Sequence, residues 1–142
     1  MVTGMTLQHE HAIALLRRAS DDLYIVQRLI EDPNAPAWVL GFHAQQAVEK
    51  ALKGALSFAG REYPRTHNLD MLSQLIKATG QMPPPCAADL GVLTPFGVVL
   101  RYEDAPSEEC HGVANTQLLH LAEEVISWAR QLIDPTALAT GP

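Results

Sequence analysis

One segment near the middle of the chain restricts its fold more than any other. Gly41–Leu56 repeats apolar side chains at intervals of three and four residues. The repeating residues are Ala44, Ala47, Val48, Ala51, Leu52, Ala55 and Leu56. This period places them along one side of a helix, and so many alanines let a neighbouring helix approach closely. We therefore expect a long helix packed against other helices, either within a bundle or across a dimer.

The rest of the chain shows the same helical period. The predicted helical segments are 7–31, 37–59, 66–80, 86–102 and 107–134. We expect Thr66 or Asn68 to cap the third segment and Ser107 to cap the start of the last. We expect Thr94-Pro95 to kink or restart the fourth segment.

The period and the breaks between segments predict a fold class. No segment alternates every second residue, and the predicted loops are short. These patterns favour an all-α fold, a five-helix antiparallel up-and-down bundle resembling a four-helix bundle. We expect residues 1–142 to form a single helical domain, with frayed ends at about 1–6 and 135–142.

Composition excludes several classes of protein. The chain has 142 residues, a net charge of −6 and a sequence pI near 5.4, so it lacks the cations of a nonspecific nucleic-acid binder. No apolar run reaches the ~20 residues that a membrane-spanning helix needs. The two cysteines, Cys86 and Cys110, define no disulfide framework. A cytoplasmic protein starting at Met1 or Met5, without membrane association, is expected.

The other face of the 41–56 helix is polar. Gln45, Gln46, Lys50 and Lys53 offer amide and ammonium donors that suit phosphate or base groups. The alternative is a solvated face that Glu49 and Lys53 stabilise as an i, i+4 pair. The sequence leaves both interpretations open.

His67 is a further candidate because it lies at the start of the third predicted helix. It could serve packing and hydrogen bonding at the helix start, or bind an anion at the helix N-terminus. The chain shows no convincing metal-ligand spacing, since His9 and His11 lie two residues apart and point in different directions on one helix. We predict no metal site.

Three sequence elements, and their order along the chain, resemble the HEPN family of small helical domains. The elements are Phe42–Lys53, Pro64–Leu69 and Arg101-Tyr102. The resemblance spans about residues 7–133. It implies a five-helix bundle that forms homodimers, needs no cofactor and has a nucleotide as its possible ligand. It also implies a minimal nucleotidyltransferase as the partner protein, often in a toxin–antitoxin pair.

The resemblance also identifies candidate catalytic residues. In ribonuclease members of the family, an Arg is followed after about four to six residues by a His near the start of the last helix. Here nine residues separate Arg101 from His111, and acidic residues lie between them. Tyr102 completes the Arg-Tyr element and is a candidate for ligand contact or modification, since partner nucleotidyltransferases of some HEPN proteins adenylylate a tyrosine.

Three functions stay open at this point. The first is a nucleotide-binding or interaction module that acts with a nucleotidyltransferase. The second is a metal-independent endoribonuclease toxin that uses Arg101 and His111 at an unusual spacing, with RNA as its substrate. The third is a structural homodimer without a ligand. The acidic charge and the long Arg–His spacing favour the first over the second, and therefore a role other than catalysis.

Overall fold

A computed structural model of the chain describes residues 6–101 and 113–135, with backbone alone for 98–101. Its helices are α1 (Leu7–Leu29), α2 (Ala37–Phe58), α3 (Leu69–Ala78) and α4 (Asn115–Ile133), and a 3-10 helical segment, η1, covers Ala87–Arg101. All regular structure in these ranges is helical, which confirms the predicted all-α fold with five helical elements. None of the described helices is long and apolar enough to cross a bilayer.

Side chains and glycines fix the helix ends much as expected. Thr6 caps α1 by accepting a hydrogen bond from the backbone nitrogen of His9 at 3.1 Å. Asn68, one of the two predicted caps, accepts from the backbone nitrogen of Met71 at 3.1 Å and begins α3. Gly60 and Gly80 follow α2 and α3 with φ angles of 75° and 90°.

The last helix begins later than the sequence predicted. Val113 and Ala114 are not helical, and Ala114 has an extended backbone with ψ of 141°. The helix therefore does not run continuously from Ser107, which itself lies outside the described residues. The sequence offers a reason, because Gly112 precedes this boundary and glycine costs a helix about 1 kcal/mol relative to alanine.

The restart predicted as one outcome at Thr94-Pro95 does not occur. Pro95 lies inside η1, which is wound as a 3-10 helix over its whole length. Proline removes one backbone donor, but the tighter helix continues around it. The Thr94 hydroxyl instead accepts a hydrogen bond at 3.3 Å from the backbone nitrogen of Leu69, a donor without a partner inside α3.

Helix α2 is the centre of the bundle. It contacts α1, α3, α4 and η1, while α1 also packs on α4 and α3 packs on η1. The alanine-rich stripe of α2 is completely or almost completely buried, as predicted. The other buried apolar side chains come from every remaining element: Ala12, Leu16, Ala19, Leu23, Val26, Leu69, Leu72, Ile76, Leu90, Leu93, Phe96, Leu118, Leu121, Ala122, Val125, Ile126, Ala129 and Ile133.

Segment η1 lies unusually close to α2. A Cβ atom added to Gly41 of α2 would lie 2.2 Å from the ring of Phe96. A Cβ atom added to Gly97 would lie 2.7 Å from the side-chain amide of Gln45. Both contacts require glycine, so η1 covers α2 at two positions that are one helical turn apart.

Candidate functional site

The polar face of α2 is not the solvated surface that one interpretation of the sequence predicted. Gln45 has no exposed surface and Glu49 is 5% exposed. The η1 segment covers this face at Gly97, and the connection between α2 and α3 covers it at His67. Buried polar groups are costly unless they are hydrogen-bonded, and here they bond to one another.

Glu49 is the centre of the first group of contacts. One carboxylate oxygen lies 2.9 Å from Lys53 Nζ, and the other lies 2.7 Å from His67 Nδ1 and accepts from Gln45 Nε2 at 2.9 Å. Burial alone would raise the pKa of Glu49, but the hydrogen bonds from Lys53, Gln45 and His67 outweigh it and lower the pKa. The carboxylate is therefore held in its charged form.

Asp22 of α1 is the centre of the second group. Its two carboxylate oxygens bind different residues of α2, with 2.9 Å to His43 Nδ1 and 2.6 Å to Lys50 Nζ. The sequence gives no local indication of this contact, because Asp22 precedes His43 by 21 residues. It arises from the packing of α1 on α2.

The donors that surround these carboxylates are half-buried and lie nearer the surface. We use the name donor stripe for His43, Gln46, Lys50 and Lys53 of α2 together with His67. The four α2 residues follow a spacing of three, four and three, so they share one side of the helix. The side chains of His43, Lys50 and His67 are 25–27% exposed, and that of Lys53 is 13% exposed. Those of Asp22 and Glu49 are only 10% and 7% exposed.

The site therefore has two layers, an inner layer of hydrogen-bond acceptors and an outer layer of hydrogen-bond donors. Carboxylates lie inside and fix the position of the ammonium and imidazole groups nearer the surface, and the Gln45 side chain fixes the amide of Gln46. The charges of Lys50 and Lys53 balance those of Asp22 and Glu49. Such pre-oriented donors suit an anion such as a phosphate group.

Tyr63 closes one end of the donor stripe. Its hydroxyl lies 2.7 Å from His11 Nε2 on α1, and Lys53 Nζ lies 5.5 Å from the centre of its ring. Burial, and secondarily the charge of Glu49, raises the pKa of Tyr63. The hydroxyl therefore stays protonated at neutral pH.

The structure brings most of the predicted ligand-binding residues together. Gln46, Lys50, Lys53 and His67 lie on the donor stripe. Gln45 lies beneath them and donates to the backbone oxygen of His67 at 3.3 Å. Because its side chain is fully buried, Gln45 can hold its neighbours in place but cannot touch a ligand that arrives from solvent.

The predicted catalytic residues fall largely outside the structure. Arg101 is the last residue of η1, and its side chain is not described. Tyr102 and His111 lie outside the described residues. Within ranges 6–101 and 113–135, no group of three or more His, Cys, Asp or Glu side chains could hold a metal ion.

Two residues of the candidate site were missed by the sequence analysis. His43 follows the same spacing as Gln46 and Lys50, and that spacing was the available indication. Asp22 belongs to a different helix, so only the tertiary packing reveals its role.

A comparison with protein families decides the classification. The HEPN domain profile matches residues 12–133, which includes all four α-helices except residues 7–11 of α1. The chain belongs to the HEPN domain family. HEPN domains are nucleotide-binding and RNase-like modules, and the resemblance seen in the sequence is confirmed. Searches of curated proteins and of solved structures gave no significant match.

Proposed function

We propose that this HEPN domain binds a nucleotide through its phosphates on the donor stripe, and that it acts with a minimal nucleotidyltransferase partner in a toxin–antitoxin-like system. The observation that supports the proposal is the two-layered arrangement of Asp22 and Glu49 behind His43, Lys50, Lys53 and His67. A ligand with several anionic oxygens can bond to several of these donors at once.

The charge of the donor stripe favours a compact anion over a long nucleic acid. The carboxylates behind the lysines cancel much of their long-range attraction for phosphate, and the whole chain carries a net charge of −6. Short hydrogen bonds in a partly buried site keep their strength better than exposed ion pairs do. A nucleotide that reaches the stripe gains these bonds, whereas a long RNA also meets the acidic remainder of the surface.

The partner forms the second half of the proposal and rests on the family resemblance. A nucleotidyltransferase uses a nucleoside triphosphate, so a nucleotide-binding HEPN domain beside it would share the same ligand class. We propose a homodimer as the working form of the chain. Arg101, the first residue of the third element of the resemblance, ends η1, and η1 packs directly on Gln45 beneath the stripe.

Isothermal titration of purified protein with ATP tests the binding proposal. Lys50→Gln should weaken the affinity by about tenfold, because it removes one charge-assisted hydrogen bond. Gln46→Ala is a second variant that leaves both carboxylates paired. The matched control is Lys77→Gln, which changes an exposed lysine of α3.

The expected result is binding that Lys50→Gln and Gln46→Ala weaken and Lys77→Gln leaves unchanged. Equal affinity in all four proteins would place the nucleotide elsewhere. Absence of ATP binding in the wild type would favour the remaining alternative, a structural homodimer without a ligand. Circular dichroism of each variant checks that it is folded.

Expression in a bacterial host separates this proposal from the endoribonuclease alternative. A binding module predicts normal growth and intact RNA when the chain is expressed alone, and a stable complex when it is co-expressed with its nucleotidyltransferase. A ribonuclease predicts growth arrest and cleaved RNA, both abolished by Arg101→Ala and by His111→Ala. Cleavage that depends on both residues would replace the binding proposal with the enzyme.

A further inference from the structure

A cleft lies between α1 and α4. Its volume is about 420 Å³, within the range of small-molecule sites. Leu16, Arg17, Ser20 and Asp21 line it from α1, and Arg130 and Asp134 line it from α4. These α1 residues lie on the sides of the helix turned away from Asp22, so the cleft is separate from the donor stripe.

The charged groups of this cleft do not neutralise one another. Among the described residues, Arg17, Asp21 and Asp134 make no side-chain hydrogen bond and no ion pair. Arg130 makes one contact, in which Nη2 donates to the neutral hydroxyl of Ser20 at 3.2 Å. The cleft therefore presents two guanidinium groups and two carboxylates to solvent.

The sequence explains why these charges stay apart. Arg17 precedes Asp21 by four residues, and Arg130 precedes Asp134 by the same interval. An i, i+4 pair with the cation first is the weaker orientation on a helix. Asp134 also follows the last residue of α4, where the partial negative charge of the helix end repels a carboxylate. Asp134 would gain more from a cation than an ordinary surface aspartate would.

We propose that the cleft between α1 and α4 binds a zwitterionic small molecule of the amino-acid class, with its carboxylate on Arg17 and Arg130 and its ammonium on Asp21 and Asp134. A guanidinium binds a carboxylate through two parallel hydrogen bonds, and an ammonium offers three donors to carboxylate oxygens. Leu16, almost fully buried, provides apolar contact for the carbon chain between the two charges.

A series of amino carboxylates with increasing charge separation tests the proposal. The probes are glycine, β-alanine, γ-aminobutyrate and ε-aminocaproate, each titrated into the full chain and followed by amide NMR. Acetate, methylammonium and inorganic phosphate serve as single-charge controls. The variants are Arg17→Gln and Asp21→Asn, and Arg18→Gln is the matched control, since Arg18 is exposed and does not line the cleft.

At least one amino carboxylate should bind to the wild type with a Kd of roughly 1 mM and shift the amide signals of residues 16–21. The affinity of Arg17→Gln and of Asp21→Asn for this probe should be about tenfold weaker. Arg18→Gln should bind as the wild type does. The proposal is overturned if no member of the series binds. It is also overturned if both variants bind normally, or if acetate or phosphate alone binds as tightly as the best zwitterion.

Discussion

Removing the Glu49 side chain tests the most connected group of contacts in the molecule. Glu49→Ala deletes a carboxylate that bonds to Lys53, His67 and Gln45. Lys53 loses its ion-pair partner, and its side chain is only 13% exposed. Gln45, fully buried, loses one acceptor and keeps the backbone oxygen of His67.

The expected loss of stability is about 3 kcal/mol. Breaking a buried ion pair by removing one partner costs about 3–5 kcal/mol. The lower end of that range applies here, because the flexible Lys53 side chain can turn toward solvent. For a chain of this length the loss corresponds to a decrease in Tm of about 10 °C.

Urea unfolding followed by far-ultraviolet circular dichroism measures this loss. Glu62→Ala is the control, since Glu62 is exposed in the connection after α2, and its change should stay within about 0.5 kcal/mol. If the two variants lose equal stability, Glu49 is solvated in solution and the reasoning about its contacts fails.

The same carboxylate gives the chain a predicted pH dependence. The pKa of Glu49 is lowered by its donors in the folded state, so its stabilisation is present above the ordinary value of 4.5. That stabilisation is lost as the pH falls through the lower, folded-state pKa. The difference in unfolding free energy between wild type and Glu49→Gln should therefore be largest near neutral pH and shrink below pH 4.5. A difference that stays constant down to acid pH would contradict the assignment.

Three further predictions concern other parts of the fold. Gly41→Ala should lower the unfolding free energy by about 1–3 kcal/mol, because the new methyl group would lie 2.2 Å from the Phe96 ring. Unchanged stability in a urea titration would refute the close packing of Phe96 on Gly41. Burial raises the pKa of Cys86 to about 12. In a Cys110→Ala variant, the Cys86 thiol should therefore react with DTNB far more slowly in the folded protein than in urea. Equal reaction rates would contradict the burial of Cys86. Burial also raises the pKa of Tyr63, so Tyr63→Phe should remove an ionisation step above pH 10 from the ultraviolet titration, and an unchanged titration curve would disprove the assignment.

The helical fold was predictable because its determinants are local. The stripe from Ala44 to Leu56 has a clear period, and Asn68 and Gly80 mark the ends of α3 by their own chemistry. The start of α4 was predicted too early, and the restart considered at Thr94-Pro95 does not occur, because η1 continues through Pro95. Ser107 carries a suitable cap pattern, yet α4 begins only at Asn115. The 3-10 helix η1 continues through Pro95.

The site was predictable only along one helix. Lys50, Lys53 and Gln46 were found because they share a face of α2, and Glu49 with Lys53 forms the predicted i, i+4 pair at 2.9 Å. The burial of Gln45 depends on η1, and the pairing of Lys50 depends on Asp22 of α1. Contacts between distant segments arise from packing, which no local pattern of the sequence specifies.

The most direct test of the account is the imidazole NMR spectrum of nitrogen-labelled protein during titration with ATP. The account predicts that the ring signals of His43 and His67 shift together and saturate at one ATP per chain, while His120, exposed on α4, stays unchanged. Lys50→Gln should reduce both shifts at the same ATP concentration. If the signals of His43 and His67 do not move, or move no more than that of His120, the donor stripe does not bind the nucleotide and the central claim is wrong.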